Sequence, residues 1–213
     1  MVGTMDAGSA LSLRERKKLD TRRALSDAAL ALAFENGLEN VTREAIAERA
    51  GVSVRTFSNY FAGKYDAIAY RQTERVRRSL AAFRERSTDE PLWEAVEAAV
   101  LQPLEIDGVG ETLPTAAELA EARKVMLVAE ARWSISKATV GDWVDAIAER
   151  TGLDPVRDIY PRLVVGVIGA VVEAAMDGYV NADPPVHVTT LLRQGFANVA
   201  AGLPVPPIGG FGA

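Results

Sequence analysis

Two short helices joined by a glycine turn are predicted in VTREAIAERAGVSVRTFSNYFAGKYDAI, the stretch from Val41 to Ile68. Thr42 and Ser53 can each N-cap one helix, because their hydroxyl oxygens accept hydrogen bonds from the unpaired amides of a first turn. Gly51 lies between the helices and tolerates the backbone of a tight turn. The second helix ends near Tyr60. This spacing is typical of a helix-turn-helix, which places its second helix in the major groove of DNA.

The two helices share an apolar side, and the second helix also has a polar side. Ile46, Val54 and Phe57 are expected to pack inward. The residues expected to face outward are Ser53, Arg55, Thr56 and Asn59. Arginine and asparagine can bond base edges in pairs, and hydroxyl groups suit phosphates. Because any corner between two helices needs glycine and apolar packing, this pattern alone is a weak indication of DNA binding.

Helical patterns continue on both sides of the motif. Ser12 and Glu15 have the spacing of a capping box and predict the start of a first helix, which Asn36-Gly37 ends. The core-facing residues of that helix are expected to be Leu25, Ala28, Ala29, Leu32 and Ala33. A fourth helix is predicted from Lys64 to Arg86.

The second half of the chain is also helical in pattern. The predicted helices are Pro91–Gln102, Thr115–Ser134, one from a break at Thr139–Gly141 to Thr151, Asp154–Val180 and Val186–Ala201. Pro103–Pro114 is predicted to be a loop. Asp154-Pro155 is taken as a helix start because proline at the first helical position loses no hydrogen bond. Since strand patterns are nearly absent, the sequence predicts an all-α fold with about nine helices.

Charge is distributed unevenly along the 213 residues. Residues 1–86 hold 16 basic and 11 acidic residues, a net charge of +5, whereas residues 87–213 hold 8 and 18, a net charge of −10. The N-terminal cations cluster at Arg14, Arg16, Lys17, Lys18, Arg22 and Arg23. Such asymmetry favours a basic module that meets a polyanion, joined to an acidic module that does not. Chance clustering on a solvated helix face is the alternative.

Several classes of protein are disfavoured by composition. The chain has no cysteine and one histidine, His187, which excludes cysteine–zinc sites, iron–sulfur clusters and multi-histidine metal sites. Its longest apolar run, Leu163–Val172, is shorter than the roughly 18 residues needed to span a bilayer. Because Ser134 and Ser136 have no nearby histidine and Gly108–Gly110 lacks a dinucleotide loop's third glycine, we expect no enzyme activity, cofactor, metal or membrane attachment.

The stretch Val41–Ile68 resembles the DNA-binding segment of the TetR family of bacterial regulators. The matching residues are Thr42, Ile46, Ala47, Ala50, Gly51, Val52, Ser53, Tyr60, Phe61 and Lys64. The resemblance covers about residues 14–70. It implies a three-helix DNA-binding domain at 13–63 and a larger helical ligand-binding and dimerisation domain at 64–201. Residues 1–12 and 202–213 are expected to be flexible tails.

The resemblance also implies which residues contact DNA. The candidates are Thr42, Arg43, Ser53, Val54, Arg55, Thr56, Asn59, Tyr60 and Lys64, with Arg14, Arg16, Lys17, Lys18 and Arg22 as sequence-independent contacts. The sequence departs from the family in two places: Arg55 replaces a small residue, and Ser58 replaces an aromatic one. Arg55 is therefore expected to read a guanine. The alternatives are that Thr42 and Ser53 act as helix caps and that Tyr60 belongs to the core.

The acidic half is expected to form a homodimer and to bind an effector, as in the family. The implied dimer residues are Leu163, Val167, Val171, Ala174, Leu191, Leu192 and Phe196. The implied pocket residues are Trp93, Leu101, Met126, Leu127, Trp133, Trp143 and Ile147. For both sets the alternative is packing inside one subunit.

The expected function is therefore that of a cytoplasmic, ligand-responsive repressor. It would bind double-stranded DNA at a palindromic operator and be released by a small apolar effector resembling a fatty acid or an acyl-CoA. The alternative is a non-specific architectural DNA-binding protein, although the acidic second half disfavours a protein that coats DNA.

Overall fold

The computed structural model describes residues 12–127 and 137–205. Within these ranges every element of regular secondary structure is a helix, which confirms the all-α prediction. The nine α-helices described are α1 (Leu13–Asn36), α2 (Arg43–Arg49), α3 (Val54–Tyr60), α4 (Lys64–Glu85), α5 (Leu92–Ile106), α6 (Ala116–Leu127), α7 (Lys137–Thr151), α8 (Ile159–Asn181) and α9 (Val188–Ala200). A 3₁₀ turn, Leu38–Asn40, precedes α2.

Capping boxes are present at two helix starts, and the first of them was predicted. The Ser12 hydroxyl accepts a hydrogen bond from the Glu15 amide while the Glu15 carboxylate accepts one from the Ser12 amide. Thr115 and Glu118 repeat the arrangement before α6. Each box pairs amides that would otherwise lack a partner in the first turn.

The chain divides into two compact units, residues 1–71 and 72–213. In the N-terminal unit, α1 lays its apolar stripe on the core: Leu25, Ala28, Ala29 and Ala33 are buried, and Leu32 is half-buried. The division falls inside α4, whose early residues Ala67 and Ile68 are buried with this unit. The N-terminal core therefore includes the start of α4 as well as α1–α3.

The C-terminal unit is built around α8 and α9, which pack on each other and on neighbouring helices. Helix α9 contacts α5, and α8 contacts α6 and α7. The helices α8 and α9 approach closely at Gly195, where a Cβ atom would be 2.7 Å from a methyl carbon of Val171. A glycine is therefore required by helix spacing at this position rather than by an unusual backbone angle.

Three predicted helix boundaries in the second half were wrong. Helix α5 continues through Pro103 to Ile106, because Pro103 is buried in the last turns and packing outweighs the local bias against helix. Asp154-Pro155 opens only a turn, in which the Asp154 carboxylate accepts hydrogen bonds from the amides of Val156 and Arg157. The helix begins later, at Ile159. Helix α7 begins at Lys137 and runs through the expected break at Thr139–Gly141.

Helix α8 is apolar over most of its length. By length and composition alone it could cross a membrane, which corrects the expectation drawn from its shorter uninterrupted apolar run. Only 28% of its most apolar window is buried inside the chain. It nevertheless packs on α6, α7 and α9 as a helix of a helical domain does. One face of α8 is left uncovered by residues 12–127 and 137–205 of the same chain.

Candidate nucleic-acid interface

Helices α2 and α3 form a corner that is fixed by hydrogen bonds at each helix start. The Thr42 hydroxyl accepts a 3.2 Å hydrogen bond from the Ala45 amide, and the Ser53 hydroxyl accepts a 3.1 Å hydrogen bond from the Thr56 amide. Gly51 between them has a φ of +68°, a conformation that L-residues with side chains rarely adopt. The predicted caps and glycine turn are thereby confirmed.

The apolar side of the corner is largely as predicted. Ile46 and Phe57 are fully buried, and Ala47 is 1% exposed between the helices. Val54 is the exception, since it is 39% exposed instead of packing inward. Its position in the first turn of α3 places it on the surface with the polar residues that follow it.

The polar side of α3 is open to solvent. Arg55 and Asn59 are exposed, and Thr56 is half-buried with its hydroxyl 2.9 Å from that of Ser53. Arg43 is exposed in the first turn of α2. The side chains with base-reading chemistry therefore lie on a solvent-facing helix that is held from behind by Phe57.

Two of the predicted phosphate contacts have partners within the protein. The Lys64 ammonium donates hydrogen bonds to the main-chain carbonyls of Leu38 and Glu39, at 2.9 and 3.2 Å. Tyr60 is half-buried, and its carbonyl accepts a 3.4 Å hydrogen bond from Arg22. Lys64 thus ties the start of α4 to the 3₁₀ turn before α2.

The basic run at the start of α1 divides into two kinds of side chain. Arg14, Arg16, Lys17 and Lys18 are exposed, as a surface that attracts phosphates requires. Arg22 is half-buried, with its guanidinium over the rings of Phe61 and Tyr70. The predicted set of five cations is therefore not one continuous exposed cluster.

Two arginines elsewhere in the N-terminal unit pair with acidic residues of α1. Arg49 at the end of α2 forms a two-bond ion pair with Glu35 of α1. Hydrogen bonds from Arg49 hold the pKa of the Glu35 carboxyl below its usual value. Arg71 of α4 pairs with Asp27 of α1 at 2.9 Å. These pairs join helices and leave the exposed cations at the start of α1 and on α2 and α3.

Sequence reasoning missed the residues that join α1 to α4. The Ser26 hydroxyl is fully buried and donates a 2.6 Å hydrogen bond to the Ala67 carbonyl. The signal was present in the sequence, because Ser26 lies between the buried residues Leu25 and Ala28 in a helix interior. A hydroxyl at such a position needs a hydrogen-bond partner when buried.

The predicted pocket residues of the C-terminal unit lie in or beside its core. Leu101, Trp143 and Ile147 are at most 5% exposed, and Trp93 is partly buried against the same cluster. The Trp143 ring packs 5.3 Å from that of Phe83. The side chains of Met126, Leu127 and Trp133 lie outside the described residues. The four described side chains belong to this core or pack against it.

The predicted dimer residues separate into buried and exposed groups. Val171, Leu192 and Phe196 lie in the chain's own core, so their assignment to a surface between subunits is corrected. Their side chains face the packing between α5, α8 and α9. The other four lie at or near the surface: Leu163 is 56% exposed, Ala174 is exposed, and Val167 and Leu191 are half-buried.

A solvent-facing polar helix held on a capped two-helix corner is the arrangement of a helix-turn-helix domain. Residues 25–68 match the family model described as bacterial regulatory proteins, tetR family. Residues 90–204, which are more than half of the chain, match a second model, the MftR C-terminal domain. The chain belongs to the TetR family and is a transcriptional regulator with a helix-turn-helix domain.

A curated relative supports this membership. The chain is 33% identical over 186 residues to the HTH-type transcriptional regulator TcmR of Streptomyces glaucescens, and the match covers 84% of this chain and 82% of the relative. Because the match runs through both units, the family relationship extends beyond the DNA-binding segment.

Solved structures share the fold at lower identity. A TetR-family regulator from Syntrophomonas wolfei superposes with a TM-score of 0.60 at 14% identity, covering 89% of this chain and 99% of that one. The fatty acid degradation regulator FadR from Bacillus halodurans gives 0.56 at 19%, covering 86% and 96%. SmeT, the repressor of a Stenotrophomonas maltophilia efflux pump, gives 0.54 at 18%, covering 88% and 96%. At such identities the likeness concerns the fold alone.

Proposed function

We propose that this regulator is a cytoplasmic homodimeric repressor that binds a palindromic operator through α3 and is released by a small apolar effector. The exposed Arg55 and Asn59 on a helix fixed by Phe57 carry the proposal. A helix of this kind covers one half-site, so two copies related by a two-fold axis are needed for a palindrome.

The DNA contacts are assigned by chemistry and exposure. Arg55 reads a base edge, with Thr56 and Asn59 beside it. Thr42 and Ser53 serve as helix caps and present the amides of the first turns of α2 and α3 toward phosphates. The remaining proposed contacts are Arg43, Val54, Tyr60 and Lys64, and the proposed sequence-independent contacts are Arg14, Arg16, Lys17 and Lys18.

The second copy is proposed to cover the exposed face of α8. Leu163, Gly166, Ala170 and Ala174 follow helical spacing on that face, and all four are exposed. Val167 and Leu191 lie half-buried at its margin. The small residues allow two helices to approach closely, and the uncovered apolar area disfavours an isolated subunit.

The effector is proposed to be a fatty acid or an acyl-CoA-like molecule that binds among α5, α6 and α7. Trp93, Leu101, Trp143 and Ile147 are the described residues of that region, and apolar and aromatic linings suit such ligands. Solved relatives point the same way: FadR is named as a fatty acid degradation regulator, and SmeT has been solved in a complex with triclosan. Met126, Leu127 and Trp133 belong to the same proposal.

Selection from a random DNA pool tests the DNA-binding part. The wild-type protein should enrich a palindrome, and native mass spectrometry of the complex should give an even number of chains for each duplex. Equal affinity for selected and random duplexes would instead identify the non-specific architectural alternative.

Native mass spectrometry of the protein without DNA tests the effector part of the proposal. The purified protein without DNA should carry an extra mass that matches a fatty acid or an acyl-CoA and is absent after organic extraction and refolding. Adding the extracted compound should release the selected duplex. If the compound binds and the duplex stays bound, the release mechanism is wrong.

A further inference from the structure

Arg22 is held in place by two aromatic rings and a main-chain carbonyl. Its guanidinium carbon lies 5.3 Å from the ring centroid of Phe61 and 5.0 Å from that of Tyr70. Its Nη2 donates a 3.4 Å hydrogen bond to the carbonyl of Tyr60. Its Nε is buried and makes no hydrogen bond within the described part of the chain. A planar cation in this position stacks on ring faces in a way that an ammonium group cannot reproduce.

These contacts distinguish Arg22 from the rest of the basic run. Arg14, Arg16, Lys17 and Lys18 are exposed, whereas Arg22 is half-buried. A phosphate that drew the Arg22 guanidinium away from its place would have to break both ring contacts and the hydrogen bond to α3. The positively charged side chain of Arg22 is therefore part of the packing of the N-terminal unit.

The carbonyl that Arg22 binds belongs to the last residue of α3. Tyr60 ends that helix and follows Asn59, one of the proposed base-reading residues. Phe61, one of the stacked rings, begins the connection to α4 and is itself 5% exposed. Arg22 therefore fixes the C-terminal end of α3, whereas the Ser53 cap fixes its N-terminal end.

Two neighbouring links hold the same part of α1 against α4. The Ser26 hydroxyl donates to the Ala67 carbonyl at 2.6 Å, and Asp27 pairs with Arg71 at 2.9 Å. Residues 22–27 of α1 thus contact both the end of α3 and the first turns of α4. With its backbone anchored in this way, Arg22 can hold α3 in one orientation.

We infer that Arg22 is a positioning residue, which orients the C-terminal half of α3 for base reading and makes no phosphate contact. The inference rests on the proposed role of α3 in reading DNA. It predicts an effect on sequence discrimination, whereas a phosphate contact would affect all DNA alike.

The test compares Arg22→Met with Arg14→Met, which removes an exposed cation from the same helix. Affinity is measured for the selected palindrome and for a random duplex between about 50 and about 200 mM salt. Arg22→Met should lose about tenfold in affinity for the palindrome and less than about twofold for random DNA, with an unchanged salt slope. Arg14→Met should weaken both duplexes alike and reduce the slope by about 0.9.

A readout without DNA tests the packing directly. The amide cross-peaks of residues 59–62 should shift in free Arg22→Met and stay in place in Arg14→Met. Arg22→Lys should recover only part of the discrimination, because lysine keeps the charge and loses the planar stack. If Arg22→Met does not fold, Arg22→Lys carries the same comparison.

Two results would overturn the inference. One is a salt slope lowered by about 0.9 with equal losses on both duplexes, which identifies a phosphate contact. The other is unchanged discrimination with unchanged amide cross-peaks. If wild-type protein discriminates no duplex at all, the proposed function has failed; the amide cross-peaks then still report whether Arg22 orients α3.

Discussion

The hydroxyl of Ser26 lies 2.6 Å from the main-chain oxygen of Ala67 and donates a hydrogen bond to it across 41 residues of sequence. Both residues are fully buried. The bond joins the middle of α1 to the first turn of α4, the two helices that come before and after the helix-turn-helix in the sequence. A single hydroxyl therefore contributes to holding the DNA-binding helices together.

Replacing Ser26 with alanine should lower the free energy of unfolding by about 1 kcal/mol, the usual net value of one intramolecular hydrogen bond. The Ala67 carbonyl keeps its hydrogen bond within α4, which limits the loss of stability. Urea denaturation followed by circular dichroism measures the change. Ser58→Ala at an exposed helical position is the matched control and should change stability by less than about 0.5 kcal/mol. Equal midpoints for the two variants would mean that the buried bond contributes nothing net.

Gly195→Ala should destabilise the C-terminal unit by about 1–3 kcal/mol, because the new methyl group would overlap Val171. In a Val171→Ala background the same change should cost much less, since the overlapping methyl group is gone. Thermal unfolding of the four proteins in this cycle gives the coupling energy. Gly141→Ala, with no atom within 4 Å of the added carbon, should instead stabilise the protein by up to about 1 kcal/mol.

Asp107→Asn should destabilise the protein by about 2 kcal/mol. The Asp107 carboxylate is 7% exposed and accepts hydrogen bonds from Arg75 and Arg78 at 2.8–2.9 Å. Removing one partner of a buried ion pair is costly, although water can reach part of each arginine. Chemical denaturation at pH 7 measures the loss.

Glu105→Gln is the matched control for that change. Glu105 pairs with Arg193 at 2.6 Å, but both side chains are more than half exposed. Water and salt screen such a pair, so its removal should cost less than about 1 kcal/mol. If the two substitutions cost the same, burial of Asp107 is irrelevant to its effect.

Acid should loosen the first turn of α6 before the protein unfolds. The amide and hydroxyl of Thr115 donate hydrogen bonds to the Glu118 carboxylate and hold its pKa below the usual 4.5. A carboxyl whose pKa is lowered by folding stabilises the fold above its unfolded pKa, and that contribution is lost as the pH falls through the two values. The protection of α6 amides from exchange, relative to the intrinsic rate at each pH, should fall below about pH 4.5, and Glu118→Gln should remove this pH dependence. A Glu118 titration midpoint at or above 4.5 would show that the bonds from Thr115 do not stabilise the carboxylate.

Arg55→Ala should weaken binding to the selected palindrome by about 10–100-fold, the usual value of one bidentate base contact. Binding to random DNA should fall by less than about threefold, because only a general attraction to phosphates is lost. Fluorescence anisotropy with both duplexes measures the difference. Arg84→Ala, an exposed cation at the far end of α4, should leave both affinities unchanged. Equal losses on both duplexes for Arg55→Ala would make it a backbone contact.

The N-terminal unit was predictable because its signals are local. Thr42 and Ser53 predict helix starts because a cap acts within three residues of sequence. Gly51 predicts a turn that few other residues permit. The role of Arg22 was hidden, since its rings lie 39 and 48 residues away in sequence. Charge alone cannot distinguish a surface cation from one stacked in the interior.

The second half was harder to predict because its boundaries depend on packing. Pro103 disfavours helix locally and yet lies inside α5, where the core surrounds it. Pro161, instead of Pro155, occupies the first turn of α8, where a missing amide costs nothing. Which side of α8 faces the core also depends on α9, so Val171 could not be assigned from the pattern of α8 alone.

Arg150 shows how one side chain can set the order in which a structure is completed. From α7 it donates hydrogen bonds to the carbonyls of Arg86, Ser87 and Glu90, in the connection between α4 and α5. During synthesis these three carbonyls emerge some 60 residues before their donor. A nascent chain that stops short of Arg150 lacks these three hydrogen bonds, and they form only when α7 has been made and docks.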